Sequence, residues 1–313
     1  MRTGLRQSSS SIALWVVAAL CWVGSGSHRV SGQELEPGAY APSPKDFNIL
    51  ISALTYKSGD LAFDPSGPID NASAGIGIGA FGYVRTLGLW GRLANIGFVV
   101  PYVRGNVKGD YLGEYHDVFR SGFGDPQLRF AINLHGGPAL TLKEFMTYQQ
   151  KWTLGVSLTV GVPLGQYDAS KLINIGGNRW AFKPEVGISR TFGRWRLEGA
   201  AGFWAFTDND DFFGGVTRSQ EAIGSFQFHV VYTIRPRMWI SYDANYYTGG
   251  RTSYGVGKNE DLQSNSRMGL TFAMPVNRTN SLKVSYSRGA YTTIGADFDA
   301  IGISWQVIWG PTD

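Results

Sequence analysis

Residues 153–162 read TLGVSLTVGV, and this stretch decides the fold because every second side chain is a large aliphatic one. Leu154, Val156, Leu158 and Val160 alternate with threonine, serine and glycine. Successive side chains of a β-strand point to opposite faces. A period of two therefore predicts a strand with one apolar face and one small or polar face.

The same alternation recurs along the chain and predicts twelve strands. Residues 127–134 read QLRFAINL and residues 301–309 read IGISWQVIW, each with apolar side chains at alternate positions. A transmembrane strand needs about 9 to 11 residues, and each segment is close to that length or longer. The predicted strands lie near residues 47–57, 73–86, 92–104, 122–135, 151–163, 179–191, 194–206, 219–234, 237–248, 265–275, 281–289 and 298–309.

The connections between these segments alternate between long and short, which favours a membrane barrel over a soluble β-sandwich. The long ones are expected to be loops at 58–72, 105–121, 164–178, 207–218, 249–264 and 290–297. Most of the others are short turns, except residues 136–150, which either form a short helix or stay irregular. We predict an all-β fold: a transmembrane antiparallel up-and-down β-barrel of about 12 strands, preceded by a cleaved signal peptide.

Composition agrees with this fold. Glycine accounts for 42 of 313 residues, aromatic residues for 14% and charged residues for only 17%. The longest unbroken apolar run, residues 12–23, is too short for a spanning helix, which needs about 20 residues. Abundant aromatic and small residues with few charges suit alternating strands rather than membrane helices.

The N-terminus has the pattern of a secretory signal peptide. Arg2 and Arg6 precede the apolar run, and small residues follow it. We expect cleavage before Gln33, with a position nearer Ser27 as the alternative. Cleavage at Gln33 divides the chain into a signal peptide (1–32), a periplasmic N-terminal segment (33–46) and a barrel (47–313). The single cysteine, Cys21, would be lost with the signal.

Net charge gives no reason to expect a nucleic-acid partner. Of the 28 basic side chains, Arg2, Arg6 and Arg29 lie in the signal, so 25 remain against 24 acidic ones. Basic residues do not form long blocks, which argues against nucleic acid. The expected partners are outer-membrane lipid, lipopolysaccharide and a small-molecule solute.

Tryptophans fall near the predicted strand ends, as aromatic girdles at the two membrane interfaces require. The expected interface aromatics are Trp90, Trp152, Trp180, Trp195, Trp204, Trp239 and Trp309. Some of these could instead be core residues.

Alternation also predicts which polar side chains line the lumen. Charges of both signs are expected on the inner face, and these are the candidate selectivity residues: Arg129, Lys183, Glu185, Arg196, Glu198, Asp243, Arg267 and Lys283. They could form a polar conduit or a salt-bridged plug. Twelve strands lie between filled eight-stranded barrels and open sixteen-stranded porins, so the sequence leaves both possibilities open.

Catalytic and metal-binding patterns are weak. The four histidines have no paired spacing suited to a metal, and the acidic stretch 208–211 lacks the other ligands of a calcium loop. His229 and Ser225 share a face but are about 13 Å apart along a strand, too far for a hydrogen bond. We therefore expect a protein that is not an enzyme and needs no cofactor or metal.

Four segments resemble the outer-membrane barrel family of the MetA pathway of phenol degradation. They are GFGDPQLRF (122–130), GVPLGQYD (161–168), NIGGNRWAFKPE (174–185) and TGGRT (248–252). The resemblance covers about Asp46 to Trp309 and implies passive passage of small, phenol-like hydrophobic solutes across a bacterial outer membrane. The alternatives are a closed structural or adhesive barrel acting through its extracellular loops and, third, a lipid-modifying barrel enzyme.

Overall fold

The computed structural model describes residues 35–62, 69–254 and 257–311. The predicted signal peptide, its cleavage site and Cys21 lie outside the described residues. Thirteen strands form one large sheet. The bounds of these thirteen strands are β1 Asn48–Ala62, β2 Ile69–Leu89, β3 Arg92–Tyr111, β4 Glu114–Phe123, β5 Gln127–His135, β6 Trp152–Gly161, β7 Ala181–Phe192, β8 Trp195–Phe206, β11 Ile223–Arg235, β12 Met238–Gly249, β15 Gln263–Pro275, β16 Asn280–Tyr291 and β17 Gly295–Trp309. Strands β4 and β5 both pair with β3 and occupy a single position in the wall.

This sheet closes on itself as a twelve-stranded antiparallel barrel. Strand β1 pairs with β17 from Asn48 opposite Trp309 to Ala62 opposite Gly295, and on its other side it pairs with β2. Closure gives the backbone of every wall strand a partner on both sides, which a membrane interior demands because it offers no water. All twelve predicted strands are present, so the fold prediction is confirmed.

Apolar side chains cover the outside of this barrel, while polar ones point inward. On β5, Leu128 and Phe130 are exposed, whereas Gln127 and Arg129 between them are buried. The other wall strands repeat this arrangement, which is the reverse of a soluble protein and matches a surface in contact with lipid.

The loops predicted at 58–72 and 105–121 are wrong in extent, because strands occupy much of the described part of both ranges. Strands β1 and β2 extend to residues 62 and 69, and β3 and β4 continue the sheet to a tight turn at Leu112–Gly113. Both turn residues have positive φ, 53° and 83°, as a type I′ hairpin requires. Side chains of β4 are exposed on both faces over most of its length, so this hairpin lacks the apolar alternation that marks the membrane-spanning part.

The long connections at 207–218 and 249–264 also contain strands that alternation did not predict. Strands β9 (Asn209–Phe212), β10 (Val216–Gln220), β13 (Thr252–Tyr254) and β14 (Gly257–Lys258) form a separate four-stranded sheet, which we call the cap sheet. Each strand has two to five residues, too few for a period of two to be recognised.

The open question at residues 136–150 resolves as one short helix, α1 (Leu142–Phe145). Thr141 caps it: its side chain accepts from the Glu144 N–H, and the Glu144 carboxylate accepts from the Thr141 N–H. In the described part of the chain, helical segments are too short to cross a membrane.

Candidate functional site

The N-terminal segment, predicted as a periplasmic segment at 33–46, has its described part inside the barrel. Its described part, residues 35–46, crosses the interior in the half nearer the short turns. The Glu36 N–H donates to Gln227 Oε1 (3.1 Å), and the Gly38 N–H donates to Glu198 Oε2 (2.6 Å). The segment therefore fills part of the lumen.

Tyr40 anchors this segment between two inward-facing glycines. A Cβ atom on Gly155 would lie 2.3 Å from the Tyr40 ring, and one on Gly187 would lie 2.2 Å from it. The Tyr40 hydroxyl contacts Ser157 Oγ and Glu185 Oε1, both at 2.9 Å. Only glycine leaves room for the ring at these two positions, so the wall is shaped to receive it.

Beside Tyr40, three predicted lumen residues form a buried charge cluster. Glu185 Oε2 lies 2.7 Å from Lys183 Nζ, and Glu185 Oε1 lies 4.0 Å from Arg129 Nη2. Arg129 also donates to Ser157 Oγ and lies over the Tyr40 ring. One carboxylate thus faces two cations and the anchoring tyrosine.

The other predicted lumen residues also lie on the inner wall. Arg196 pairs with Glu198 two residues along β8, so this ion pair runs along the wall rather than across the lumen. Asp243 is fully buried and contacts His229 Nδ1 (2.8 Å), Thr271 Oγ1 (2.7 Å) and Ser241 Oγ (3.1 Å).

Arg267 and Lys283 lie on the neighbouring part of the wall. Arg267 donates to the Phe298 carbonyl at 2.6 Å. Lys283 lies opposite Ala273 and Ser304 in the sheet and is only half-buried, so its part of the wall is more open than the wall behind Tyr40.

At the other end, the connection 162–180 folds over the barrel opening. The buried Asp125 side chain accepts from the Gly165 N–H (2.7 Å) and the Gly177 N–H (2.9 Å). Ile175 is buried against Ile78 and Val103 on the inner wall. This connection therefore narrows the interior at the long-loop end.

We expect Asp125→Ala to loosen this connection. Hydrogen bonds to a charged group each contribute about 1.5–3 kcal/mol, so losing both should raise local opening at least about tenfold. Limited trypsin digestion at Lys171 measures the opening. Asp117→Ala, which removes an exposed ion pair with Lys108 and an exposed hydrogen bond from Asn106, is the control; equal cleavage of the two variants would contradict the role of Asp125.

The predicted interface aromatics divide into two groups. Trp90, Trp152, Trp180, Trp195 and Trp309 are exposed on the outside, and their place at the membrane interface stays a prediction. Trp204 and Trp239 are only 4% and 6% exposed, so the expectation is wrong for these two: they face the interior. Trp204 lies on the same face of its strand as Glu198, and Trp239 on the same face as Asp243. The alternation of inward and outward side chains therefore indicates that both tryptophans point inward.

Trp204 belongs to a column of rings and cations that extends from the charge cluster toward the long-loop end of the barrel. Lys183 Nζ lies 5.9 Å from the Trp204 ring centroid, and Trp204 stacks on Phe206 with centroids 6.4 Å apart. The Arg179 guanidinium lies over the Phe206 ring, 4.2 Å from its centroid. The interior thus combines aromatic surfaces with hydrogen-bond donors.

Tyr40, Phe206 and Arg179 also face the interior and are not among the predicted lumen residues. Arg179 and Phe206 lie within the predicted strands 179–191 and 194–206, on the same faces as Lys183 and Glu198, so alternation already indicated that both point inward. Tyr40 precedes the first strand and has no periodic neighbour, so nothing in the sequence pattern indicates its position.

The comparisons with known proteins agree with the fold. The family described as "Putative MetA-pathway of phenol degradation" matches residues 64–300, more than half of the chain. The crystal structure of the COG4313 outer membrane channel from Pseudomonas putida F1 superimposes with a TM-score of 0.75 at 18% identity, covering 88% of this chain and 100% of that one.

Two further structures are more distant. The beta domain of the Bordetella autotransporter BrkA gives a TM-score of 0.49 at 11% identity, covering 85% of this chain and 100% of that chain. The CymD monoaromatic hydrocarbon channel gives 0.43 at 8% identity, covering 86% and 90%. A search of the curated proteins found no match.

Proposed function

Because the chain belongs to the MetA-pathway family of phenol degradation, we propose that it is an outer-membrane channel for small aromatic, phenol-like solutes. The long loops would face the outside of the cell and the short turns the periplasm. Passage would be passive, and the barrel would lie in outer-membrane lipid and lipopolysaccharide.

The observation that carries this proposal is the ring column inside the barrel. Trp204 is buried and Phe206 beside it is half-buried, so a solute ring would reach the column at Phe206; Lys183 lies near Trp204 and Arg179 near Phe206. An aromatic ring with a hydroxyl group could stack on such a surface and form hydrogen bonds next to it. The COG4313 protein is named an outer membrane channel, which supports the same function for this fold.

The route must pass two obstructions, the N-terminal segment and the connection 162–180. The inner wall at β16 is the more open side, since Lys283, Ser285 and Ser287 are only half-buried. A small solute could pass there while Tyr40 stays in place, and a larger one would need the segment to move.

Single-channel recording in planar bilayers tests the proposal. The refolded chain should give discrete current steps that phenol reduces and cyclohexanol, of similar size but without a π-face, reduces less. Trp204→Ala should weaken the phenol effect at least about tenfold, because stacking contributes about 0.5–1.5 kcal/mol beyond burial and the cavity adds to the loss.

Trp309→Ala, which removes an exposed tryptophan, is the matched control and should leave the phenol effect unchanged. A correctly folded barrel that gives no current would contradict the channel and favour the closed structural alternative. Equal block by phenol in the two tryptophan variants would contradict the role of the ring column.

A further inference from the structure

Where the cap sheet meets the barrel rim, the structure buries two guanidinium groups. Arg179, just before β7, is 2% exposed, and Arg218 on β10 is 7% exposed. Burial first, and the charge of Arg218 second, lower the pKa of Arg179 to about 9. Two buried cations that repel each other are unfavourable unless an anion lies near both.

The described residues do not supply that anion at contact distance. Arg179 donates through Nη2 to Gln220 Oε1, but its Nε and Nη1 have no acceptor, and neither has Nε of Arg218. Within the described ranges, neither Arg179 nor Arg218 forms an ion pair at 4 Å or less. Asp208 and Asp125 act on Arg179 only from farther away.

Aromatic rings frame the same place. Arg179 lies 4.2 Å from the Phe206 centroid, and Arg218 lies 5.6 Å from the Phe212 centroid. Phe212 in turn stacks on Tyr254. Beyond Phe206, the indole N–H of Trp204 is also buried without an acceptor among the described residues. The junction is therefore rich in donors, poor in acceptors and walled by rings.

We propose that this junction is a binding site for an aromatic carboxylate of the benzoate class. Its two oxygens would accept hydrogen bonds from Arg179 and Arg218, whose planar donor groups suit a carboxylate. Its ring would pack with Phe206 and Phe212. The inference deepens the proposed function and rests on it, because the ligand would be a solute that the channel selects at its outer mouth.

Isothermal titration calorimetry of the refolded full chain in detergent tests the site with three probes. Benzoate should bind at least about tenfold more tightly than benzyl alcohol, which has the ring without the charge, because charge-assisted hydrogen bonds are the stronger ones. It should also bind at least about tenfold more tightly than inorganic phosphate, which has the charge without the ring.

Two substitutions assign the site. Arg179→Gln and Arg218→Gln should each weaken benzoate binding at least about tenfold, whereas Arg194→Gln, an exposed arginine in a short turn at the other end, should not. Heat-modifiable migration in gels reports whether each variant folds. Arg218 lies in the cap sheet, outside the barrel wall, so its variant provides the test even where Arg179→Gln does not fold.

Each contrary outcome has a distinct meaning. Equal affinity for benzoate and benzyl alcohol, or binding unaffected by both substitutions, would overturn the site. Phosphate binding as tight as benzoate would replace the aromatic ligand with a phosphate from solution or from lipopolysaccharide, and vesicles with and without lipopolysaccharide would separate those sources. A barrel that conducts but does not bind benzoate contradicts only this inference, whereas one that binds benzoate but never conducts contradicts the proposed function.

Discussion

Replacing Tyr40 with alanine is expected to increase the single-channel conductance several-fold. The ring and hydroxyl of Tyr40 hold the N-terminal segment across the lumen, between Gly155 and Gly187 and against Glu185. Without them the segment loses its side-chain anchor and keeps the hydrogen bonds from the Glu36 and Gly38 N–H groups, so it leaves the interior more easily. Recordings of the wild-type and variant barrels in the same bilayer measure the change.

A substitution in the wall should have the same effect without altering the segment. Gly187→Ala places a methyl group about where the Tyr40 ring lies, because a Cβ there would be 2.2 Å from the ring. Gly199→Ala on the neighbouring strand is the matched control, since its Cβ would have no atom closer than 3.9 Å. If Tyr40→Ala and Gly187→Ala both conduct like the wild type and the control, the segment does not restrict the lumen.

The second large effect is expected from Glu185→Ala, which should destabilise the barrel by about 3 kcal/mol or more. Removing this carboxylate leaves Lys183 and Arg129 buried without their shared anion, and one-sided removal of a buried ion pair costs about 3–5 kcal/mol. Urea unfolding of the barrel in lipid vesicles, followed by tryptophan fluorescence, measures the free energy of unfolding.

Two further variants separate charge from shape. Glu185→Gln keeps an acceptor for Tyr40 but removes the charge, so it should retain part of the stability. Glu221→Ala, which breaks only an exposed pair with Lys258, should leave unfolding unchanged. A Glu185→Ala barrel as stable as Glu221→Ala would show that Glu185 does not compensate the two cations.

The alternation of apolar side chains predicted the barrel wall because it exists wherever lipid covers one face of a strand. Leu128, Arg129 and Phe130 show it within three residues. It disappears where strands leave the membrane, so the β3–β4 hairpin near Leu112 was predicted as a loop. In the cap sheet, strands of two to five residues are too short to carry the signal.

Inside the barrel, the sequence predicted which charges face inward but not which atoms they contact. Lys183, Glu185 and Arg129 all lie on the inner wall, but their cluster depends on Tyr40, which is more than 80 residues away along the chain. The inward Trp204 was assigned to the membrane interface from its place near a strand end, although its parity with Glu198 placed it inside. Position along a strand and the face of the strand are separate criteria, and here the face is decisive.

Uptake of radiolabelled 4-hydroxybenzoate into proteoliposomes at neutral pH tests the central claim most directly. This anion carries an aromatic ring, a hydroxyl group and a carboxylate, and lipid alone passes it slowly because a charge is costly to bury. The account predicts uptake well above that of protein-free liposomes, reduced by Trp204→Ala and not by Trp309→Ala. Uptake equal to that of protein-free liposomes, with a barrel that is folded by heat-modifiable migration, would contradict it.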